Sequence, residues 1–350
     1  MKTTSTFIIS ASLASLLAGC TEPVKPIFQT HSPPIEWPSP PDQPRIRYIG
    51  SLSGQASLKK PRPITLKSIL AGPEPTIGFS TPMSVTARGD DVIVCDGQGG
   101  AVHHLNLQTR DFYSITRAGN EPFGWPIDVT LAGPYIAVAD SKRAAVFVMN
   151  FAGQDIRTIG HGALIRPSSV SWSESRREFW VLDAGAHACV IFNEKGEETR
   201  RFGQRGESLG EFNYPAGLVC DDTLGAVIAD SMNFRVQIVD PNGVPTRYFG
   251  RKGDAAGDFS LPRDVAVDSE GHIYVLDNQF ENIQVFDREG RLLMAWGNEG
   301  QGPGEFYLPA AIHIDSQDRI WIADAYNRRV QVFQYLPEIK MASGEEQMAE

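Results

Sequence analysis

The chain has 350 residues, with 33 glycines, 24 prolines, 42 acidic against 32 basic side chains and a formal net charge of −10. A body so charged repels polyanions, which argues against a nucleic-acid partner. Its four cysteines form no Cys-x-x-Cys and no RING-type Cys/His pattern, which excludes haem attachment and leaves ubiquitin machinery without support.

In chain order, residues 1–19 come first: Lys2, an apolar stretch from Phe7 to Leu17, and the small pair Ala18-Gly19. That stretch is too short to cross a bilayer, which takes roughly 20 residues, so the segment reads as a signal peptide. Leu17-Ala18-Gly19-Cys20 resembles the bacterial lipobox. The resemblance implies cleavage before Cys20 and a covalent lipid on its thiol. Thr21, where an aspartate would retain enteric lipoproteins at the inner membrane, implies the outer membrane in a cell that has one. The expected location is therefore the bacterial cell envelope. Residues 20–43 follow as the lipidated cysteine and a spacer, with eight prolines between Thr21 and Pro44. Proline at that density favours an extended, semi-rigid chain.

From 44 to 336 the sequence repeats. A turn proline recurs at Pro82, Pro126, Pro167, Pro215, Pro262 and Pro309, and 14 to 16 residues after each an aspartate ends a hydrophobic run: Asp96, Asp140, Asp183, Asp230, Asp277 and Asp324. The period of 41 to 48 residues lies in the range of propeller blades, above helical repeats of about 34. Runs such as Val92 to Cys95, Phe179 to Leu182 and Ile320 to Ala323 are β-branched and aromatic, bounded by turn residues, and predict strands. One sheet of four strands cannot bury both its faces, so the copies must stack.

The last copy runs out after its third strand, Val330 to Gln334, while Arg45 to Gly50 has the form of the fourth strands ending at Gly203 and Gly250. The expected fold is all-β: a six-bladed β-propeller of four-stranded blades, closed by an N-terminal strand that completes the last blade. It carries an insertion at 51–80, in which Ile64 to Leu70 is patterned as a short amphipathic helix over the channel mouth. A disordered acidic tail is expected at 337–350.

Gly257 to Pro262, with its Gly-x-Phe-x-x-Pro spacing, the Asp268 to Gly271 turn before Ile273 to Asp277, and Asp230 to Arg235 together resemble NHL repeats. The aromatic position is filled by Phe79, Phe123, Phe212, Phe259 and Phe306, with Leu164 in the third copy. The resemblance covers nearly the whole mature chain and implies a six-bladed propeller. It also implies a setting beside multihaem cytochromes. The RNA binding of some NHL domains is not expected here, given the charge.

Any catalytic site would lie at the channel, where the first strands of all six copies meet. In the peptidyl-amidoglycolate lyases, which this chain also resembles, histidines directly after the turn prolines hold zinc. Here those positions are Met83, Ile127, Ser168, Ala216, Arg263 and Ala310, none of them a zinc ligand. No catalytic residue and no metal site is assigned. One residue further on stand Ser84, Asp128, Ser169, Gly217, Asp264 and Ala311. Asp128 and Asp264 fall in opposite blades, as weak candidates for holding calcium or a cationic side chain across the channel, or as carboxylates bonded to nearby backbone amides. Arg235 and Arg329 are expected to steady the turns behind Asp230 and Asp324. Cys95, Cys189 and Cys220 read as buried free thiols.

Strand alternation gathers Trp125, Tyr214, Phe234, Phe280 and Tyr326 on one rim, either as anchors for a partner or packed against their neighbours. The function expected is a lipid-anchored envelope propeller that binds or scaffolds an envelope protein, with no cofactor beyond the lipid on Cys20. The alternative is a propeller enzyme of lyase or lactonase type with a channel metal site.

Overall fold

Blade five shows how the repeat folds in the computed structural model, which describes residues 26–28, 31–60 and 75–338. Pro262–Val267, Ile273–Asp277, Asn282–Phe286 and Leu292–Trp296 pair antiparallel in chain order. The second strand is buried at all of its positions, so its sequence is a continuous apolar run rather than an alternation. The outermost strand exposes alternate residues and forms the edge of the disc. Each of the six repeats builds such a sheet, and the molecule is a six-bladed propeller.

Stacking is carried by the aromatic of each turn phrase. Phe259 is buried among Val227, Val236 and Ile238 of blade four and Val275 and Phe286 of its own blade. Phe212 does the same against Trp180 and Leu182 of blade three, and Leu164 fills the equivalent place between blades two and three. Gly203, Gly250 and Gly297 sit at φ 93, 90 and 97, where a Cβ would come within 2.6, 2.3 and 2.6 Å of Phe212, Phe259 and Phe306. Glycine after the fourth strands of blades three, four and five is therefore what lets the next phenylalanine enter.

Ring closure follows the sequence. The strand β2, Ile46–Leu52, pairs with Arg329–Tyr335, running from Ile46 opposite Tyr335 to Leu52 opposite Val330. Blade six differs from the others in carrying a fifth strand, β1, Glu36–Trp37, outside β2. This corrects the expectation that all of 20–43 stands free as a spacer. Ile35-Glu36-Trp37 is a proline-free triplet between Pro34 and Pro38, and proline is tolerated beside an edge strand, where its missing donor faces outward. Arg45 N–H donates to Trp37 O at 2.7 Å and Tyr48 N–H to Ile35 O at 2.9 Å. The Trp37 ring packs edge-on to Phe333 at 5.8 Å.

Within the 51–80 insertion, Gln55–Leu58 forms one 3-10 turn that buries Leu58. The expected signal peptide, Cys20, the helix at Ile64 to Leu70 and the tail from 339 onward lie outside the described residues. Among those described, no helix is long and apolar enough to cross a membrane.

Candidate functional site

The start of each first strand pairs with the end of the second, as Pro82 does with Asp96 and Pro262 with Asp277. The loop before each turn proline therefore lies beside the turn from second to third strand, and both open on one face of the disc. Backbone bonds fasten them: Ser141 N–H to Trp125 O at 3.1 Å, Met232 N–H to Asn213 O at 3.0 Å and Tyr326 N–H to Tyr307 O at 3.2 Å.

The six strand-ending aspartates sit buried beneath this face and clamp both loops. Asp277 accepts from Ser260 N–H at 2.7 Å, Leu261 N–H at 3.0 Å, and Gln279 and Phe280 N–H at 3.0 Å. In blade four side chains take part: Asn233 Nδ2, Arg235 Nε and Gln237 Nε2 donate to Asp230 Oδ2 at 2.8, 2.9 and 3.0 Å. Asn327, Arg329 and Gln331 do the same for Asp324. Arg235 and Arg329 also donate to loop carbonyls, Glu207 O at 2.6 Å and Gln301 O at 2.6 Å among them. In blade one His103 stands in the glutamine's register, its Nε2 3.5 Å from Asp96. These clamps tie each strand-ending aspartate to the loops around it, which makes the face a rigid platform.

On that platform Trp125 is 38%, Tyr214 41% and Tyr326 60% exposed. Phe234 and Phe280 are half-buried. Phe234 packs on the core between blades four and five, with Lys252 Nζ 5.0 Å from its ring centre. The face also gathers residues the sequence reasoning passed over: Ile165, Met232 and Tyr307, at 64%, 45% and 42% exposure. Ile165 and Tyr307 each lie two residues before a turn proline, so the signal was present in the spacing. Tyr307 packs edge-on to Tyr326 at 5.4 Å, and Arg166 lies 5.4 Å over the Tyr214 ring.

At the centre of the face the channel is narrow, lined by Met83, Ile127, Ser168, Ala216, Arg263 and Ala310. Just inside, Asp128 accepts Ser84 Oγ at 2.5 Å, Ser169 Oγ at 2.7 Å, and Val129 and Val170 N–H at 2.8 Å. It thereby ties blades one, two and three together. Asp264 accepts Ile312 N–H at 2.8 Å, tying blade five to six. A Cβ on Gly217 would come within 2.2 Å of Asp264 Oδ1, which explains the glycine in that ring position. Both carboxylates thus bond to adjacent blades. Calcium takes six to eight oxygens, and no group of three or more His, Cys, Asp or Glu converges among the described residues.

Beyond this ring the channel widens toward the opposite face into a cavity of about 470 Å³, lined by Thr86, Thr130, Ser171, Trp172 and His313. His313 Nε2 lies 3.2 Å from Ala87 O, and burial pushes its pKa down, keeping it neutral. Cys220 lines the same wall, its thiol pushed up to about 12 by burial, while Cys95 and Cys189 are buried free thiols. All three are inert as nucleophiles.

Burial first, and the Asp128 charge second, push the Asp264 carboxyl up to about 8. Burial also raises Asp128, against its four donors. Burial thus favours the protonated form of Asp264 toward neutrality. Folding then takes up a proton at Asp264 between its unfolded value of 3.8 and about 8. Its contribution to stability is full below the lower value and declines as pH rises to the upper one. Asp264→Asn is therefore expected to raise the melting temperature more at pH 8.5 than at pH 5, on the order of several degrees. An equal difference at both pH values would contradict the protonated Asp264.

Comparison with known proteins follows this geometry. A family model described as a 6-bladed beta-propeller matches residues 263–341. A search of curated proteins finds no match. Among solved structures, a structural genomics protein of unknown function from Bacteroides thetaiotaomicron is similar, at 18% identity and TM-score 0.58, over 73% of this chain and 70% of that one. Virginiamycin B lyase from Staphylococcus aureus is similar at 13% identity and TM-score 0.56, over 88% of this chain and 94% of that one. An auxiliary nutrient binding protein from Bacteroides thetaiotaomicron is similar at 12% identity and TM-score 0.60, over 74% and 70%. Likeness at these identities speaks for the propeller fold alone.

Proposed function

We propose that this chain is an NHL-type propeller lipoprotein of the bacterial envelope, anchored through Cys20, that binds another envelope protein on its turn-proline face. The observation that carries the role is the distribution of exposed apolar side chains. Among the described residues twelve large hydrophobics are exposed, and six of them, Trp125, Ile165, Tyr214, Met232, Tyr307 and Tyr326, lie on this one face. The others are spread over outer strands and loops. Aromatic anchors on a rigid surface are what a protein partner engages. The proline-rich stretch before residue 35 would hold the face away from the lipid, toward an outer-membrane or periplasmic partner.

The fold does not select the role, since similar propellers include both a lyase and a nutrient-binding protein. The second reading, a propeller enzyme, draws on Asp264, because a carboxylic acid protonated near neutrality is suited to general acid work. Metal analysis of the purified chain separates the two, since stoichiometric zinc or calcium in the channel would favour the enzyme. The binding role is tested by recovering partners with the full-length protein and with a Trp125→Ala/Tyr214→Ala/Tyr326→Ala variant. These exposed side chains leave the fold intact when truncated, and the variant is expected to lose its partner. Equal recovery would overturn the role.

A further inference from the structure

We propose that Arg263 is the receptor for one carboxylate side chain, an aspartate or glutamate, presented by the protein that docks on the turn-proline face. This rests on the docking role argued above and adds the chemistry of the partner.

Arg263 occupies the hub of the face, where the channel is narrowest. Its guanidinium has neither a hydrogen bond nor a contact ion pair among the described residues, and Asp264 and Asp128 act on it only through space. Arg263 is partly exposed at the channel mouth, whereas the buried Arg235 is saturated, donating to Asp230, Glu207, Ser208 and Glu211. A guanidinium crowded by its surroundings yet open to the face is a ready receptor for a carboxylate, which satisfies it with two parallel charge-assisted bonds. The nearby acids do not take that place. Asp128 is occupied by its two serine hydroxyls and two backbone amides, and Asp264 is bonded to Ile312. The side chains around Arg263, Ser168, Ala216 and Ala310, are small and leave the approach open from outside.

The surface charge of the face points the same way. In the loops leading to the turn prolines of blades two to six, and in the turns beside them, the exposed cations are Arg117, Lys142, Arg166, Arg205, Arg251, Lys252 and Arg328, against the exposed acids Glu121, Glu207, Asp254 and Glu299. Arg143 is paired with Glu121. Glu281 is buried, accepting Leu308 N–H at 3.0 Å, and the six clamp aspartates below are buried and bonded. On the opposite face the turns at 88–91, 132–135, 173–178, 221–225, 267–273 and 314–319 hold ten acids and four cations. On this face, in a chain of net charge −10, exposed cations outnumber exposed acids. Because buried aspartates lie beneath, the long-range field of the face is weak. The recognition acts at contact, through slow dissociation rather than steering. A small local surplus of cations on so acidic a body favours an acidic protein loop over a nucleic acid.

The test uses arginine side-chain Nε–H NMR on the full chain, with the Arg263 signal assigned by its loss in Arg263→Gln, or by its loss in Arg263→Lys should the glutamine variant fail to fold. The probes are the capped dipeptides acetyl-Trp-Glu-amide and acetyl-Trp-Gln-amide, matched in shape and differing in charge. The Arg263 signal is expected to move saturably with the glutamate peptide, with half-saturation about tenfold lower than for the glutamine peptide. Arg263→Lys keeps the charge but not the two-pronged geometry, and is expected to lose most of that preference. No movement at Arg263, an equal response to both peptides, or a stronger response to an oligouridine overturns the proposal. If Arg263→Gln leaves the partner bound while the triple alanine variant releases it, the carboxylate receptor fails and the docking role stands. If the triple variant retains the partner, it is the docking role that fails.

Discussion

Removing β2, residues 46–52, is expected to abolish cooperative folding. Ile46 and Leu52 are fully buried and Tyr48 nearly so, the first and last on the cores that flank blade six. Each contributes roughly 1.5–3 kcal/mol by burial, so about 6 kcal/mol is lost against a whole-domain stability of about 5–15 kcal/mol. The strand Arg329–Tyr335 would also lose its partner along its whole length, leaving that buried strand as the open edge of blade six. Thermal unfolding followed by circular dichroism measures this, and a sharp transition close to that of the intact chain would contradict the closure. Ile46→Ala gives a milder version, at a cost of about 2–5 kcal/mol, and reports on the same strand if the deletion yields no soluble protein.

Asp230→Ala is expected to be the most damaging single substitution on the turn-proline face. Asp230 and Arg235 are both buried, with Nε to Oδ2 at 2.9 Å. Deleting the carboxylate strands the guanidinium and frees Asn233, Gln237 and the Asn213 amide, a loss of about 3–5 kcal/mol. Denaturant unfolding reads it directly. The double variant Asp230→Ala/Arg235→Ala is expected to lose less than the sum of its parts, since the second change removes the orphaned charge. A loss below about 1 kcal/mol for Asp230→Ala would mean the clamp is not structural.

Much of this was legible in the chain. The spacing of Pro82 through Pro309 and the buried runs that follow determine six blades, because a second strand buried on both faces must be apolar throughout. The clamp was legible for the same reason: an aspartate at the end of a buried strand has only the neighbouring turns to bond with. The strand β1 was hidden by its flanks, as the proline density around Ile35 to Trp37 masked a triplet free to pair. Strand register puts His103 where Gln237, Gln284 and Gln331 stand in later blades, a match that residue type conceals. Arg263 was read as a failed zinc position, since spacing places a residue on a ring without telling which of its atoms find partners. Exposure was the least legible quantity. Phe234 turns back onto its blade while Ile165, Met232 and Tyr307 project, and that depends on turn conformation rather than residue type.

The central claim is that function resides on the turn-proline face, and site-specific photo-crosslinking in the native cell tests it most directly. A photoreactive phenylalanine analogue at Tyr326, on that face, is compared with one at Glu174, in a turn of the opposite face. A discrete protein adduct at Tyr326, absent at Glu174 and lost on adding Trp125→Ala and Tyr214→Ala, is the predicted result. Adducts at Glu174 with none at Tyr326 would contradict it and move the function to the wide end of the channel.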